Sequence, residues 1–244
     1  MSLVKLNKQL RKPETTPTGS RAYTPAFLSD SKGLYLKNKT VVNHPVNQHI
    51  RWWCKSGATI ENRYHWLKDN LESQIKLHGN IWLYVWLGTC NLTQKDNRYI
   101  SLTSYDNSEV DKVKENLIRI TELIKEHPGS KVTILELPVY SISRYNKTRR
   151  HPDSQKFEDQ DKQLDKQVYC LNGIIRELNN TLGAHSPQFS TDIQNHRKVK
   201  PSKHPENRNY YNFDLYTDGI HPGHTLASFW LRKISNQILR DCWE

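Results

Sequence analysis

The apolar positions of this chain fall into short runs and helical stripes that alternate along its length. Ile81-Trp82-Leu83-Tyr84-Val85-Trp86-Leu87 is the most apolar segment, dominated by β-branched and aromatic residues and closed by Gly88. It has no polar residue at alternate positions, so it predicts a strand buried on both faces, as in parallel sheets. Ala26-Phe27-Leu28 and Val132-Thr133-Ile134-Leu135 are shorter runs of this kind. Thr40-Val41-Val42, Ile50 to Cys54 and Phe189 to Ile193 are further strand candidates.

Between these runs the period changes to three and four. Trp66, Leu67 and Leu71 predict a helix that starts near Thr59. Val110, Val113, Leu117, Ile120 and Ile124 predict another, opened by Ser108 as N-cap and stopped by Pro128-Gly129. A polar stretch over 143–160 precedes a stripe of Leu164, Val168, Leu171, Ile175, Leu178 and Leu182, with Gly183 in the C′ position. Leu226, Trp230, Ile234 and Ile238 mark a last helix. Strands alternating with helices predict an α/β fold: a three-layer α/β/α sandwich with a mainly parallel central sheet, flavodoxin-like in plan. Pro13, Pro17 and Gly19 interrupt any period near the start, so 1–22 is read as a flexible basic tail and 23–244 as a single domain.

Composition sharpens this picture. Only 35% of residues are hydrophobic and the mean hydropathy is −0.82, which implies long polar loops. Seven Trp and twelve Tyr nevertheless exclude a disordered chain. The net charge of +11 is clustered. Lys5, Lys8, Arg11, Lys12 and Arg21 face only Glu14. Arg144, Lys147, Arg149, Arg150 and Lys156 face only Asp153, and Arg197, Lys198, Lys200, Lys203 and Arg208 face only Glu206. Such clusters either keep the protein soluble or attract polyanions such as nucleic acid. Cys54, Cys90, Cys170 and Cys242 lie far apart, which excludes the common zinc spacings and a disulfide framework. The polar N-terminus resembles neither a signal peptide nor a membrane span, so an intracellular protein, cytoplasmic or nuclear and not membrane-bound, is expected. The glycosylation sequon Asn91-Leu92-Thr93 would sit beside the candidate site described next, where a glycan has no room.

The residues able to do chemistry cluster at strand ends. Ser29-Asp30-Ser31 follows the first strand, Gly57 a later one and Gly88 to Asn91 the most buried one, while Asp218 to His221 precedes the last helix. In a parallel sheet these segments gather on one edge. A serine hydrolase needs a nucleophile, a base, a group that orients the base, and donors for an oxyanion. Each feature also has a plainer role: Ser31 as a helix N-cap, Asp218-Gly219 as a turn, His221 as a turn residue, the glycines as backbone geometry, and Trp52, Trp53, Trp82 and Trp86 as core.

Together and in order, these blocks resemble those of the SGNH (GDSL-type) hydrolases over roughly 24–242. The resemblance implies Ser31 as nucleophile, His221 as general base and Asp218 as the orienting acid. The backbone N–H groups of Ser31 and Gly57 would serve the oxyanion, and the reaction would be ester hydrolysis through an acyl-enzyme without metal or organic cofactor. Two positions depart from the pattern. Ser29 replaces the first-block glycine, and Cys90 stands where the family has its oxyanion asparagine, with Asn91 one residue later. Either Asn91 supplies the amide through a shift, or the hole is weakened.

The expected activity is a serine carboxylesterase or acetylesterase acting on a short acyl group of a polar substrate, with Arg149 and Arg150 as loop candidates over the pocket. The alternative is a weakly active or inactive module of this fold that binds nucleic acid through its basic tail and loops. The basic, Trp-rich character is similar to SGNH domains encoded by some retrotransposons. A nucleotide binder fits less well, because neither a GxGxxG nor a P-loop follows the first strand.

Overall fold

The computed structural model describes residues 1–39, 44–195 and 211–244. The strand expected over 40–42 and the basic cluster at 197–208 lie outside them. The strands are β1 (Thr24–Ser29), β2 (Arg51–Cys54), β3 (Ile81–Trp86), β4 (Thr93–Asp96), β5 (Tyr99–Leu102) and β6 (Lys131–Ile134). Four of them form a parallel sheet in the order β2-β1-β3-β6, and β4 and β5 pair separately as an antiparallel hairpin. Every residue of the central strand β1 is buried, as is nearly all of β3, which is the two-faced burial its apolar run requires.

The helices are α1 (Leu3–Leu10), α2 (Ser31–Lys39), α3 (Ile60–His78), α4 (Thr89–Leu92), α5 (Ser108–Lys125), α6 (Ile142–Thr148), α7 (Glu158–Leu182) and α8 (His224–Cys242). Helices α2 and α8 pack together on one face of the sheet, while α3, α5 and α7 pack in succession on the other. The three-layer α/β/α sandwich expected from the alternating periods is therefore the observed one. Its centre is aromatic: the fully buried Trp86 lies 5.1 Å from Phe189 and 6.0 Å from Trp230, ring to ring. Trp53 is also buried and Trp52 and Trp82 are half-buried against the core. Among the described residues, no helix is long and apolar enough to cross a membrane. All four cysteines are free.

Several local expectations are corrected. Ser190–Ile193 is a 3-10 turn rather than a strand. Asn107, not Ser108, is the N-cap of α5. The polar stretch from 143 contains α6, whose first turn is held by a carboxylate that comes from α7. Asp161 accepts from the Ile142 N–H at 2.6 Å and from the Ser141 hydroxyl at 2.9 Å. Ser141 is the N-cap, its hydroxyl accepting the Arg144 N–H at 3.1 Å, and Asp161 reinforces it from outside the helix.

The N-terminal segment is not a free tail over its first turns. Helix α1 docks on α8 through Leu6, which is fully buried. The Arg232 guanidinium donates to the carbonyls of Gln9, Lys12 and Pro13 at 2.7 Å each, satisfying groups left open where the helix ends. One buried leucine and one arginine fork hold the helix, too little to register as a periodic stripe. Leu6→Ala should cost about 2–5 kcal/mol in urea unfolding, the usual price of emptying a closed apolar site. A cost below about 0.5 kcal/mol would mean that α1 is not docked.

Candidate active site

Parallel pairing sets the frame. Ser29 at the end of β1 is in register with Cys54 of β2 and Trp86 of β3, so the turns after all three strands open side by side. Ser31 is the first residue of α2. The turn carrying Gly57 follows β2 and is tied back to β1 by the Lys55 N–H on the Ser29 carbonyl, 3.0 Å. Gly88 follows β3 with φ of 122°, a conformation that favours glycine, and starts α4. The Asp218–His221 turn precedes α8, the partner of α2. Gly219 in it has φ of 92°, and a Cβ there would fall 2.7 Å from the Arg144 Cβ, so the turn and α6 meet only because this residue is glycine.

These elements bring Ser31, His221 and Asp218 into one hydrogen-bonded chain. Ser31 Oγ lies 2.9 Å from His221 Nε2, and His221 Nδ1 lies 2.8 Å from Asp218 Oδ2. The other Asp218 oxygen accepts the backbone N–H groups of His221 at 2.8 Å and Ile220 at 3.1 Å. Burial alone raises the Asp218 carboxyl. The His221 hydrogen bond and charge, with the two backbone donors, outweigh burial and hold it below its ordinary value. Asp218 is thus an anion that accepts a hydrogen bond from Nδ1–H, which leaves Nε2 as the acceptor for the Ser31 hydroxyl.

The floor under Ser31 is ionic. Asp30 and Lys32 are both 1% exposed and paired at 2.6 Å, and Asp30 also accepts the Lys32 N–H at 2.8 Å. The Lys32 ammonium donates to the Thr89 hydroxyl and lies 5.4 Å from the Trp86 ring centre. This pair ties the nucleophile turn to the loop after β3. Ser29 fits in place of a glycine because its hydroxyl donates to the Trp86 carbonyl at 3.0 Å and accepts the Gly33 N–H at 3.2 Å. Gly33 makes room for it: a Cβ there would sit 2.7 Å from both Ser29 Cβ and Cys54 Sγ.

Among the described residues, neither the Ser31 nor the Gly57 backbone N–H has an acceptor. The Asn91 carboxamide is committed elsewhere. Its oxygen accepts the Ile60 N–H at 3.0 Å, and its nitrogen donates to both Glu61 carboxylate oxygens at 3.1 and 2.9 Å. Asn91 therefore holds the first turn of α3. Cys90 is partly buried beside Asp30 and Lys32; burial, then the Asp30 charge, pushes its thiol up to about 12 despite the Lys32 ammonium.

Tyr35, not singled out in the sequence, stacks on His221 with ring centres 4.2 Å apart and 16° between planes. It sits four residues after Ser31 on α2, the spacing that places two side chains on one helix face. Arg149 reaches Asp218 Oδ2 at 3.8 Å from above the Tyr145 ring. Arg150 lies just past the C-cap of α6 with φ of 60°, and its carbonyl accepts from the Tyr99 hydroxyl at 3.4 Å. A polar groove of about 400 Å³ runs along α6, lined by Ser143, Arg144, Lys147 and Glu158, and contains none of the triad. Among the described residues, no three His, Cys, Asp or Glu side chains are arranged to hold a metal ion.

The buried pair yields a stability prediction. Lys32→Met strands the Asp30 charge and should cost about 3–5 kcal/mol in urea unfolding, whereas Asp30→Asn combined with Lys32→Met should recover most of it. A cost of about 1 kcal/mol or less for Lys32→Met would contradict a dehydrated pair.

No protein-family model and no curated protein sequence matches the chain. Solved structures do. A GDSL-like lipase from Bacteroides thetaiotaomicron superposes with a TM-score of 0.58 at 14% identity, covering 98% of this chain and 97% of that one. A lipase/acylhydrolase from Enterococcus faecalis gives 0.54 at 14% identity, over 90% and 97%. The acetyl xylan esterase AlAXEase gives 0.54 at 12% identity, over 88% and 98%. Three such likenesses, each spanning nearly the whole of both chains, give this protein the fold of the SGNH (GDSL-type) hydrolases.

Proposed function

We propose that the protein is a serine esterase that hydrolyses a short acyl group, acetyl in the first instance, from a polar alcohol. The observation that carries this reading is the continuous chain from the Ser31 hydroxyl through His221 to the buried Asp218. Ser31 Oγ attacks the acyl carbon as Nε2 takes its proton, and the imidazolium then protonates the leaving alkoxide. Water attacks the acyl-Ser31 ester by the same route in reverse, returning the proton to Ser31. The free N–H groups of Ser31 and Gly57 receive the oxyanion.

The third donor is the weak point of the site. Asn91 is spent on α3 and Cys90 brings only a thiol, a poor donor. Loss of one oxyanion donor costs roughly 10²–10³-fold in rate, so slow turnover is expected. A polar substrate is favoured by the Arg149 guanidinium, half-exposed above Tyr145 and 3.8 Å from Asp218. One structural relative is an acetyl xylan esterase, whose substrate is an acetylated sugar polymer; this supports acetyl as the first acyl group to try.

Hydrolysis of p-nitrophenyl acetate should be measurable with the native protein and fall to background in Ser31→Ala of unchanged folding. Cys90→Asn should raise kcat by up to roughly 10²-fold with little change in KM, since the donor acts on the transition state. Equal rates for the native protein and Ser31→Ala would refute the proposal.

A further inference from the structure

The edge of the sheet opposite the triad carries a second set of groups that the hydrolytic reading leaves unused. Arg51 opens β2, Arg21 lies just before β1, His49 ends the 3-10 turn before β2, and His78 ends α3. The topology gathers them at the amino ends of neighbouring strands. Arg21 Nη1 donates to His49 Nδ1 at 3.2 Å, and the His49 ring meets Trp243 edge-on at 5.5 Å. Both arginines are exposed, and among the described residues neither forms an ion pair with a carboxylate. Glu244, close by, donates its backbone N–H to the Ser20 carbonyl at 3.1 Å. Burial, followed by the charges of these same two arginines, holds both imidazoles below the ordinary histidine value. The two arginines and two imidazoles thus gather on one edge, where the arginine charges act on both rings.

We infer that Arg21, His49, Arg51 and His78 form a phosphate-binding face for single-stranded nucleic acid, remote from the triad. The guanidinium fork matches phosphate oxygens better than an ammonium does, and two such forks with two ring N–H donors grip adjacent phosphates. The same edge continues to Lys131 at the start of β6, which lies 5.0 Å over Tyr23 and 4.8 Å over Trp82. Tyr23 and Trp82 meet at 5.3 Å. Cations alternating with aromatic rings form the surface on which unpaired bases stack while the backbone is neutralised, which favours a single strand over an isolated phosphate compound. At about 3.3 Å per strand residue, this face lies roughly 15 Å or more from Ser31, so it operates independently of ester hydrolysis.

The test is fluorescence anisotropy of a labelled oligothymidine across a salt series, with the full chain, Arg21→Gln/Arg51→Gln, and a charge-matched control, Lys68→Gln/Lys114→Gln. The arginine variant should bind about tenfold more weakly at physiological salt. Its slope of log affinity against log salt should flatten by about 1.4, two single-strand phosphate contacts' worth. The control should bind like the native protein, and both variants should hydrolyse p-nitrophenyl acetate at the native rate. Arg51→Gln alone should flatten the slope by about 0.7, which keeps the test decisive if the double variant folds poorly. The inference is overturned by absent binding in the native protein, by equal losses in the control, by a variant that binds as the native protein does, or by binding to phosphatidylserine vesicles but not to the oligonucleotide.

Discussion

A parallel sheet cannot turn back on itself; each strand must be reached by a crossover, so every strand leaves the sheet at the same edge. That constraint organises this protein. The ends of β1, β2 and β3 place Ser31, Gly57 and the Gly88–Asn91 loop side by side, and α8, packed on α2, delivers Asp218 and His221 from a distant part of the sequence. The opposite edge collects the residues at or just before the strand starts, among them Arg51, Arg21 and Lys131. One topological rule thus separates the edge that carries Ser31 and His221 from a cationic one.

Within the catalytic edge, precision comes from buried polar contacts rather than from apolar packing alone. The Asp30–Lys32 pair, with its reach to Thr89, fixes the nucleophile turn against the loop that carries Cys90. A pair removed this completely from water contributes little net stability, yet is costly to break, so it sets geometry more than it adds free energy. The same logic governs Asn91. Its carboxamide meets both the open N–H of Ile60 and the Glu61 carboxylate, a better-satisfied arrangement than pointing into the pocket. Commitment of that amide to α3 leaves it unable to donate elsewhere in the same arrangement.

Much of this was legible in the chain. The run over 81–87 and the stripes of α5, α7 and α8 declare themselves because burial on two faces or one is written directly as periodicity. The juxtaposition of Ser31, His221 and Asp218 was also readable, since each sits beside a strand end or helix start marked by Gly or a short polar block. What escaped depends on partners far along the sequence. Helix α1 rests on one leucine and on Arg232, 220 residues away from Lys12. Helix α6 has a local cap in Ser141 but also leans on Asp161 from α7. Lys32 reads as a solvated charge until Asp30 and Thr89 enclose it, and Tyr35 acquires a role only when His221 arrives on top of it. The choice between Cys90 and Asn91 likewise turned on α3 needing an acceptor, which spacing alone does not reveal.

The central claim is that Ser31, among the many serines of this chain, is the one made nucleophilic by its neighbours. Incubating the folded protein with a fluorophosphonate and mapping the product by peptide mass spectrometry tests this directly, because the reagent phosphonylates only an activated hydroxyl. The account predicts a single adduct on Ser31, absent when the protein is denatured first or carries His221→Ala. An adduct on another residue, or a folded protein that hydrolyses esters while Ser31 stays unlabelled, would contradict it.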